Sequence, residues 1–204
     1  MSLPTFVRWG AGAGLLGAAL SLTEGLLVLA NPGYWRFDSP LDYLVAAVEG
    51  AALLAVLGGL AGLHARQAGV YGRLGALGFF TAFSGTVLAG VGHLGGVPFF
   101  EFVNVGAVAY VLIGLSLGSF LIGGVTYVLG IFAMSAGLVL IGVATVNAGE
   151  LPRWSGLALI VGTAGLWVAG NAGGWVVFGA AWALVGYTLL TTNGAPDGLS
   201  AGAR

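Results

Sequence analysis

The fold of this chain is decided by its first long apolar stretch, FVRWGAGAGLLGAALSLTEGLLVLA, which runs from Phe6 to Ala30. An apolar helix of about 20 residues spans the hydrocarbon core of a bilayer, so this stretch is long enough to cross a membrane. Its ionisable residues are Arg8 near the start and Glu24 near the end. Similar apolar stretches, separated by short polar breaks, follow along the chain and predict a polytopic membrane protein.

The composition indicates the same class of protein. Of the 204 residues, 58% are hydrophobic and only 6% are charged. Soluble domains carry about 25% charged residues, so this chain lacks the polar surface that folding in water needs. The 39 glycines stand among Leu, Val and Ala without a collagen period, which is typical of closely packed membrane helices. We therefore predict an all-α transmembrane helix bundle.

Clusters of Pro, Asn and charged residues divide the chain into seven predicted spans. These spans cover approximately residues 6–30, 41–64, 73–95, 100–121, 125–148, 153–170 and 173–192. The last two are short and share only a Gly/Asn break, so six spans with a re-entrant pair is the alternative. The connections are short as well. The sequence therefore predicts one transmembrane domain over residues 1–204, with its function in or at the membrane.

The arginines give a weak indication of orientation. With seven spans, Arg8, Arg66 and Arg73 fall on one side of the membrane, and Arg36 and Arg153 fall on the other with the last residue of the chain. Cytoplasmic loops carry an excess of Lys and Arg. We expect the amino terminus to be cytoplasmic and the protein to reside in the cell membrane.

Several chemistries are excluded by residues that the chain lacks. It contains no Cys, which excludes disulfides, thiolate metal sites and iron–sulfur ligation. It contains no Lys, which excludes Schiff-base chemistry and a retinal pigment. The net charge of −1 offers no basic surface for nucleic acid. Neither nucleic acid nor any cofactor is expected to bind.

Two carboxyl groups lie well away from the ends of predicted spans, where an ionisable side chain costs about 2.5–3.5 kcal/mol. Glu24 precedes the outward end of the first span by roughly six residues, and Glu49 follows the start of the second by roughly eight, so the rise per residue matches their depths to about 3 Å. Gly25 and Gly50 follow them and leave space for a close approach. We expect the two carboxyl groups to meet across the hairpin.

Four further polar residues fall in the same outward third of the predicted bundle. His93 lies at the end of the third span, and Glu101 and Asn104 lie at the start of the fourth. Asp42 lies at the water edge, on the same helical face as Glu49 and about 10 Å above it. The candidate transport or proton-binding residues are therefore Glu24, Glu49, His93, Glu101, Asn104 and Asp42.

The chemistry of such a group is that of a proton or cation site. Two carboxyl groups in a medium of low dielectric constant repel each other when both are charged, so they are expected to share a proton. A nearby imidazole extends a proton relay or acts as a counter-charge. Mixed carboxylate and imidazole ligands also suit zinc or manganese, but no ligand spacing specifies a metal, and its presence is left open.

One segment resembles a known group of proteins. The stretch AGELPRWSG, residues 148–156, followed by an apolar span, is similar to a segment of small uncharacterised multi-pass membrane proteins of bacteria and archaea. The resemblance implies a multi-pass membrane protein. It carries no site residue over to this chain.

Three functions stay open from the sequence. The first is a small carrier or conduction protein for a proton, a cation or a small solute, with Glu24 and Glu49 as the coupling site. The second is an enzyme of the bundle type that acts on a lipid or isoprenoid, and the third is an accessory subunit of a membrane complex. Membrane lipids are expected partners, together with further copies of the chain or another membrane protein.

Overall fold

The computed structural model describes residues 2–31, 39–103 and 109–192, with side chains described for 2–31, 39–93 and 123–192. The described chain is helical and contains no strand. Its helices are α1 (Leu3–Ala30), α2 (Pro40–Gln67), α3 (Gly72–Val103), α4 (Ala109–Ala148), α5 (Arg153–Val168) and α6 (Gly170–Thr192). The prediction of an all-α protein is confirmed.

Several of these helices are long and apolar enough to cross a membrane. Within the described residues there are five such segments: Leu3–Ala30, Pro40–Gln67, Gly72–His93, Gly123–Ala148 and Gly170–Thr192. Helix α5 has 16 residues, which at about 1.5 Å per residue is shorter than the hydrocarbon core of about 30 Å. The chain has the helices of an integral membrane protein, and the predicted count of seven spans is not confirmed.

Two predicted breaks do not end a helix. Helix α4 continues through Gly123-Gly124, and α3 continues through the Gly95 to Pro98 segment. Inside a bilayer an unpaired backbone group costs several kcal/mol, far more than the ~1 kcal/mol propensity cost of glycine, so the helical hydrogen bonds persist. The predicted span 125–148 and residues 109–121 of the predicted span before it consequently belong to one helix, α4, whereas residues 100–103 belong to α3.

The break between the last two helices lies slightly earlier than predicted. Ala169 follows the end of α5, and Gly170, with φ of 70°, begins α6. A positive φ suits glycine because it has no Cβ. The predicted break at Asn171–Gly173 instead lies within the first turn of α6.

The six helices form a closed antiparallel ring. Each helix packs against its neighbours in the chain, and α6 packs against α1 to close the ring. We call the end where α1 starts the amino-terminal end, and the end where α1 finishes the loop-31 end. Because the direction of the helices alternates around the ring, α1 begins at the amino-terminal end and α6 finishes there.

Glycines set the spacing of these helices at two interfaces. A methyl group built on Gly62 in α2 would lie 2.7 Å from the Cα atom of Gly10 in α1. A methyl group built on Gly85 in α3 would overlap the backbone nitrogen of Met134 in α4. Membrane helices approach this closely only where side chains are absent.

The arginines with described side chains gather at the amino-terminal end. Arg8 lies near the start of α1, Arg66 near the end of α2, and Arg73 and Arg153 begin α3 and α5. The prediction that Arg153 falls on the opposite side is wrong, because the two helices α3 and α4 lie where three spans were predicted. The ion pair between Arg66 and Glu150, 2.7 Å long, joins the two turns at this end.

The interior is apolar over most of its length. The larger hydrophobic cluster is centred on Trp182, Phe178, Met134 and Leu60, all of them buried. A second, smaller cluster contains Val28 and Val45 near the loop-31 end. Between these two clusters, α1 and α2 place buried polar groups.

Candidate functional site

Glu24 and Glu49 face each other in the interior. The α1–α2 contacts pair Gly10 with Gly62 and Gly17 with Val56, and the same antiparallel register brings Glu24 opposite Glu49. The two carboxyl groups are close enough to repel each other when both are charged. Relative exposure is 0% for Glu24 and 2% for Glu49, so neither carboxyl group reaches solvent or lipid.

Glu49 has two further partners, one from α3 and one from α4. The hydroxyl of Tyr127 donates a hydrogen bond to Oε1 of Glu49, with 2.6 Å between the oxygens. Nδ1 of His93 lies 3.5 Å from the same Oε1. Nε2 of His93 lies 2.8 Å from the carbonyl oxygen of Ala46. Because a carbonyl oxygen only accepts, Nε2 carries a hydrogen and Nδ1 is the nitrogen that faces Glu49.

Glu24 is surrounded differently. Among the residues that the structure describes with side chains, no donor reaches either of its carboxyl oxygens. Ser21, one helical turn away, is also fully buried, and its hydroxyl has no hydrogen-bond partner within that same set. Buried polar groups are nearly always paired, so these atoms mark a place where a proton, a water molecule or an ion completes the site.

The site is rich in hydrogen-bond acceptors. The four carboxyl oxygens of the pair are acceptors when ionised, and the described side chains that reach Glu49 are the Tyr127 hydroxyl and the His93 imidazole. The nearest arginines along α1 and α2 are Arg8 and Arg66, which lie about 24–26 Å away in helical rise. A proton on the groups of the site, or a bound cation, can supply the positive charge that two buried carboxyl groups require.

Asp42 has a structural role at the start of α2. Its Oδ2 accepts a hydrogen bond from the backbone nitrogen of Ser39 at 2.9 Å, and the Ser39 side chain accepts one from the Asp42 nitrogen, which together form a capping box. Its Oδ1 accepts a hydrogen bond from the side-chain amide of Asn31. The geometry separates Asp42 from Glu49 by two helical turns.

The remaining predicted site residues lie outside the described side chains. Glu101 is part of helix α3, but its side chain is not among those described, and Asn104 lies outside the described residues altogether. No group of three or more His, Cys, Asp or Glu side chains suited to a metal ion occurs in the described part of the chain.

Sequence reasoning did not include Tyr127 in the site. The candidate residues predicted from the sequence all lie between positions 24 and 104, whereas Tyr127 lies in the predicted span 125–148. A sequence feature that could have placed α4 against α3 is the spacing of seven residues between Gly78, Gly85 and Gly92, because all three glycines pack against α4. Gly92 packs against the backbone of Tyr127, and this contact brings the tyrosine beside His93.

A second polar group lies at the amino-terminal end. The side chain of His64 hydrogen-bonds to the hydroxyl of Tyr71 and stacks on Phe79 with 4.0 Å between ring centroids. Burial raises the pKa of Tyr71 to about 12. These residues hold the α2–α3 turn and stand apart from the carboxyl pair by most of the length of α2.

Comparison of the chain with protein-family models, with curated proteins and with solved structures gives no match in any of the three.

Proposed function

We propose that this integral membrane protein is a small carrier in which the Glu24/Glu49 pair binds a proton and exchanges it for a monovalent cation. The single observation that carries the proposal is the excess of buried acceptors. Glu24 and Glu49 converge with His93 and with one hydroxyl donor, and the arginines with described side chains lie at the amino-terminal end of the bundle. Such a site requires one or more positive charges, and a proton and a cation can satisfy it in turn.

The position of the pair along the bundle supports alternating access. Towards the loop-31 end, the pair is covered by the small cluster of Val28 and Val45 with Leu27 and Ala172 packed on it. Towards the amino-terminal end it is covered by the larger cluster, which includes Trp182 and Leu60. The smaller cluster leaves the shorter path from the carboxyl pair to water, so we propose that the site exchanges its proton through the loop-31 end.

The arginine distribution supports an orientation. Four arginines lie at the amino-terminal end, and positively charged residues favour the cytoplasmic side. In the proposed orientation the amino-terminal end is cytoplasmic and the loop-31 end faces outward. We propose the cell membrane as its location.

Cation–proton exchange can be tested in vesicles that contain the purified protein. Vesicles with an acidic interior and an internal pH-sensitive dye are diluted into neutral medium with Na⁺, K⁺ or choline. We expect at least one of these cations to dissipate the pH gradient with the unaltered protein and with Glu150→Gln, which changes an acid at the membrane edge. Glu49→Gln should abolish the response. The proposal fails if no cation gives a response that depends on Glu49.

A further inference from the structure

A groove on the outside of the bundle leads towards the carboxyl pair. It lies between α2 and α3 and has a volume of about 160 Å³. Its walls are apolar and include Leu54, Leu57, Val87 and Val91. Leu54 and Val91 are 64% and 60% exposed, so the groove opens sideways, towards the surface that the bilayer covers.

Gly90 leaves the groove unfilled. A methyl group built on Gly90 would meet no atom within 4 Å, in contrast to Gly85 and Gly92 on the opposite side of α3. The space beside Gly90 is therefore not occupied by the described protein. It is accessible to a molecule from the lipid phase.

The groove ends beside the polar site. Gly50, which lines it, directly follows Glu49, and Gly90 precedes His93 by one helical turn. The His93 side chain is 12% exposed, compared with 3% for Glu49. His93 is therefore the more accessible of the two side chains next to this end of the groove.

We propose that the groove binds the hydrocarbon chain of a single-chain alkylammonium and directs its head group to Glu24 and Glu49. This inference rests on the proposed function and names the class of cation that is exchanged. The apolar walls suit a hydrocarbon chain, and an ammonium head brings three donors and one positive charge to a site with too many acceptors.

The exchange is balanced in charge and protons. The alkylammonium enters the site with its positive charge. The O–H bond of the protonated carboxyl group breaks, and its proton passes to water. A bilayer phospholipid suits the site less well, because its phosphate would stand next to two carboxyl groups of like charge.

The direct probe is dodecylammonium added to the purified protein in neutral detergent. Binding is measured with the labelled compound, and proton release is measured in weakly buffered solution with a pH dye. We expect the unaltered protein to bind it and to release a proton, and Glu49→Gln to release none. Dodecanol, which has the same chain and no charge, should release none from either protein.

The groove is tested with two matched glycine variants. Gly90→Leu places a side chain in the groove, whereas Gly12→Leu places the same side chain on α1, where a methyl group also meets no atom within 4 Å. We expect Gly90→Leu to bind dodecylammonium about tenfold more weakly, since two groups then compete for one space. Gly12→Leu should bind it like the unaltered protein.

Two results would overturn this inference. One is equal binding of dodecylammonium by Gly90→Leu and Gly12→Leu, which would show that the groove does not bind the hydrocarbon chain. The other is the absence of dodecylammonium binding to a protein that exchanges protons for Na⁺, K⁺ or choline through Glu49. In that second case the proposed carrier function stands and only the class of cation is wrong.

Discussion

The hydroxyl of Tyr127 in α4 donates a hydrogen bond to the carboxyl group of Glu49 in α2, across 2.6 Å. This contact joins two helices that are not neighbours in the ring and fixes one oxygen of a buried acid. Glu49 therefore occupies a defined position between Glu24, His93 and Tyr127. The account of this protein as a carrier depends on that arrangement.

Replacing Tyr127 with Phe should destabilise the protein by about 1–3 kcal/mol, because it removes a donor from a buried carboxyl oxygen and leaves the ring in place. Thermal unfolding in detergent, followed by circular dichroism, measures the loss. Tyr187→Phe is the matched control, since Tyr187 is 60% exposed. Equal melting temperatures for the two variants would mean that the Tyr127 hydrogen bond contributes nothing to stability.

Replacing Gly85 with Ala should separate α3 from α4. The added methyl group overlaps the backbone nitrogen of Met134, and backbone atoms cannot move aside without shifting a helix. We expect a loss of at least about 1–3 kcal/mol, typical of overpacking. Gly12→Ala, where nothing lies within 4 Å, should be neutral or slightly stabilising. Identical unfolding curves for the two variants would refute the close α3–α4 packing.

The antiparallel ring predicts which side of the membrane each turn occupies. Because the chain has no Cys, single cysteines can be labelled selectively. Gly69→Cys in the α2–α3 turn and Asn147→Cys near the end of α4 should react with an impermeant maleimide from the same side. Asn171→Cys at the start of α6 should react from the opposite side. Labelling of positions 69 and 147 from different sides would restore the seven-span topology.

Stability should depend on pH in the alkaline range through Tyr71. Burial raises its pKa to about 12 from the ordinary value of 10.0. Above pH 10 the unfolded chain loses this proton first, so the unfolded state is favoured increasingly as the pH rises towards 12. Below pH 10 both states keep the proton and the effect vanishes. Tyr71→Phe should remove this part of the decline, and an unchanged alkaline profile in that variant would assign the decline to other groups.

The sequence was sufficient to predict the α1–α2 hairpin and to assign matching depths to Glu24 and Glu49. Both follow from local rules, since a polar break fixes where two helices turn and the rise per residue fixes depth. The continuity of α4 could not be read in this way. A Gly–Gly pair ends helices in water, but its effect in a bilayer depends on the surrounding helices.

The partners of the carboxyl pair could not be predicted from the sequence, for a related reason. Tyr127 reaches Glu49 because α3 and α4 pack through glycines in one specific register, and a contact between distant helices has no local sequence signature. Asp42 shows the converse. Its spacing of three residues from Ser39 is a recognisable capping box, which explains this acid as a helix cap.

The most direct test of the central claim is infrared spectroscopy of the purified protein at neutral pH, using the absorption band of protonated carboxylic acids. The account predicts a band that weakens in Glu24→Gln and in Glu49→Gln, that persists in Glu150→Gln, and that decreases when the transported cation is added. Absence of this band in the unaltered protein at neutral pH without added cation, or a band unaffected by both Glu24→Gln and Glu49→Gln, would contradict a proton held by the Glu24/Glu49 pair.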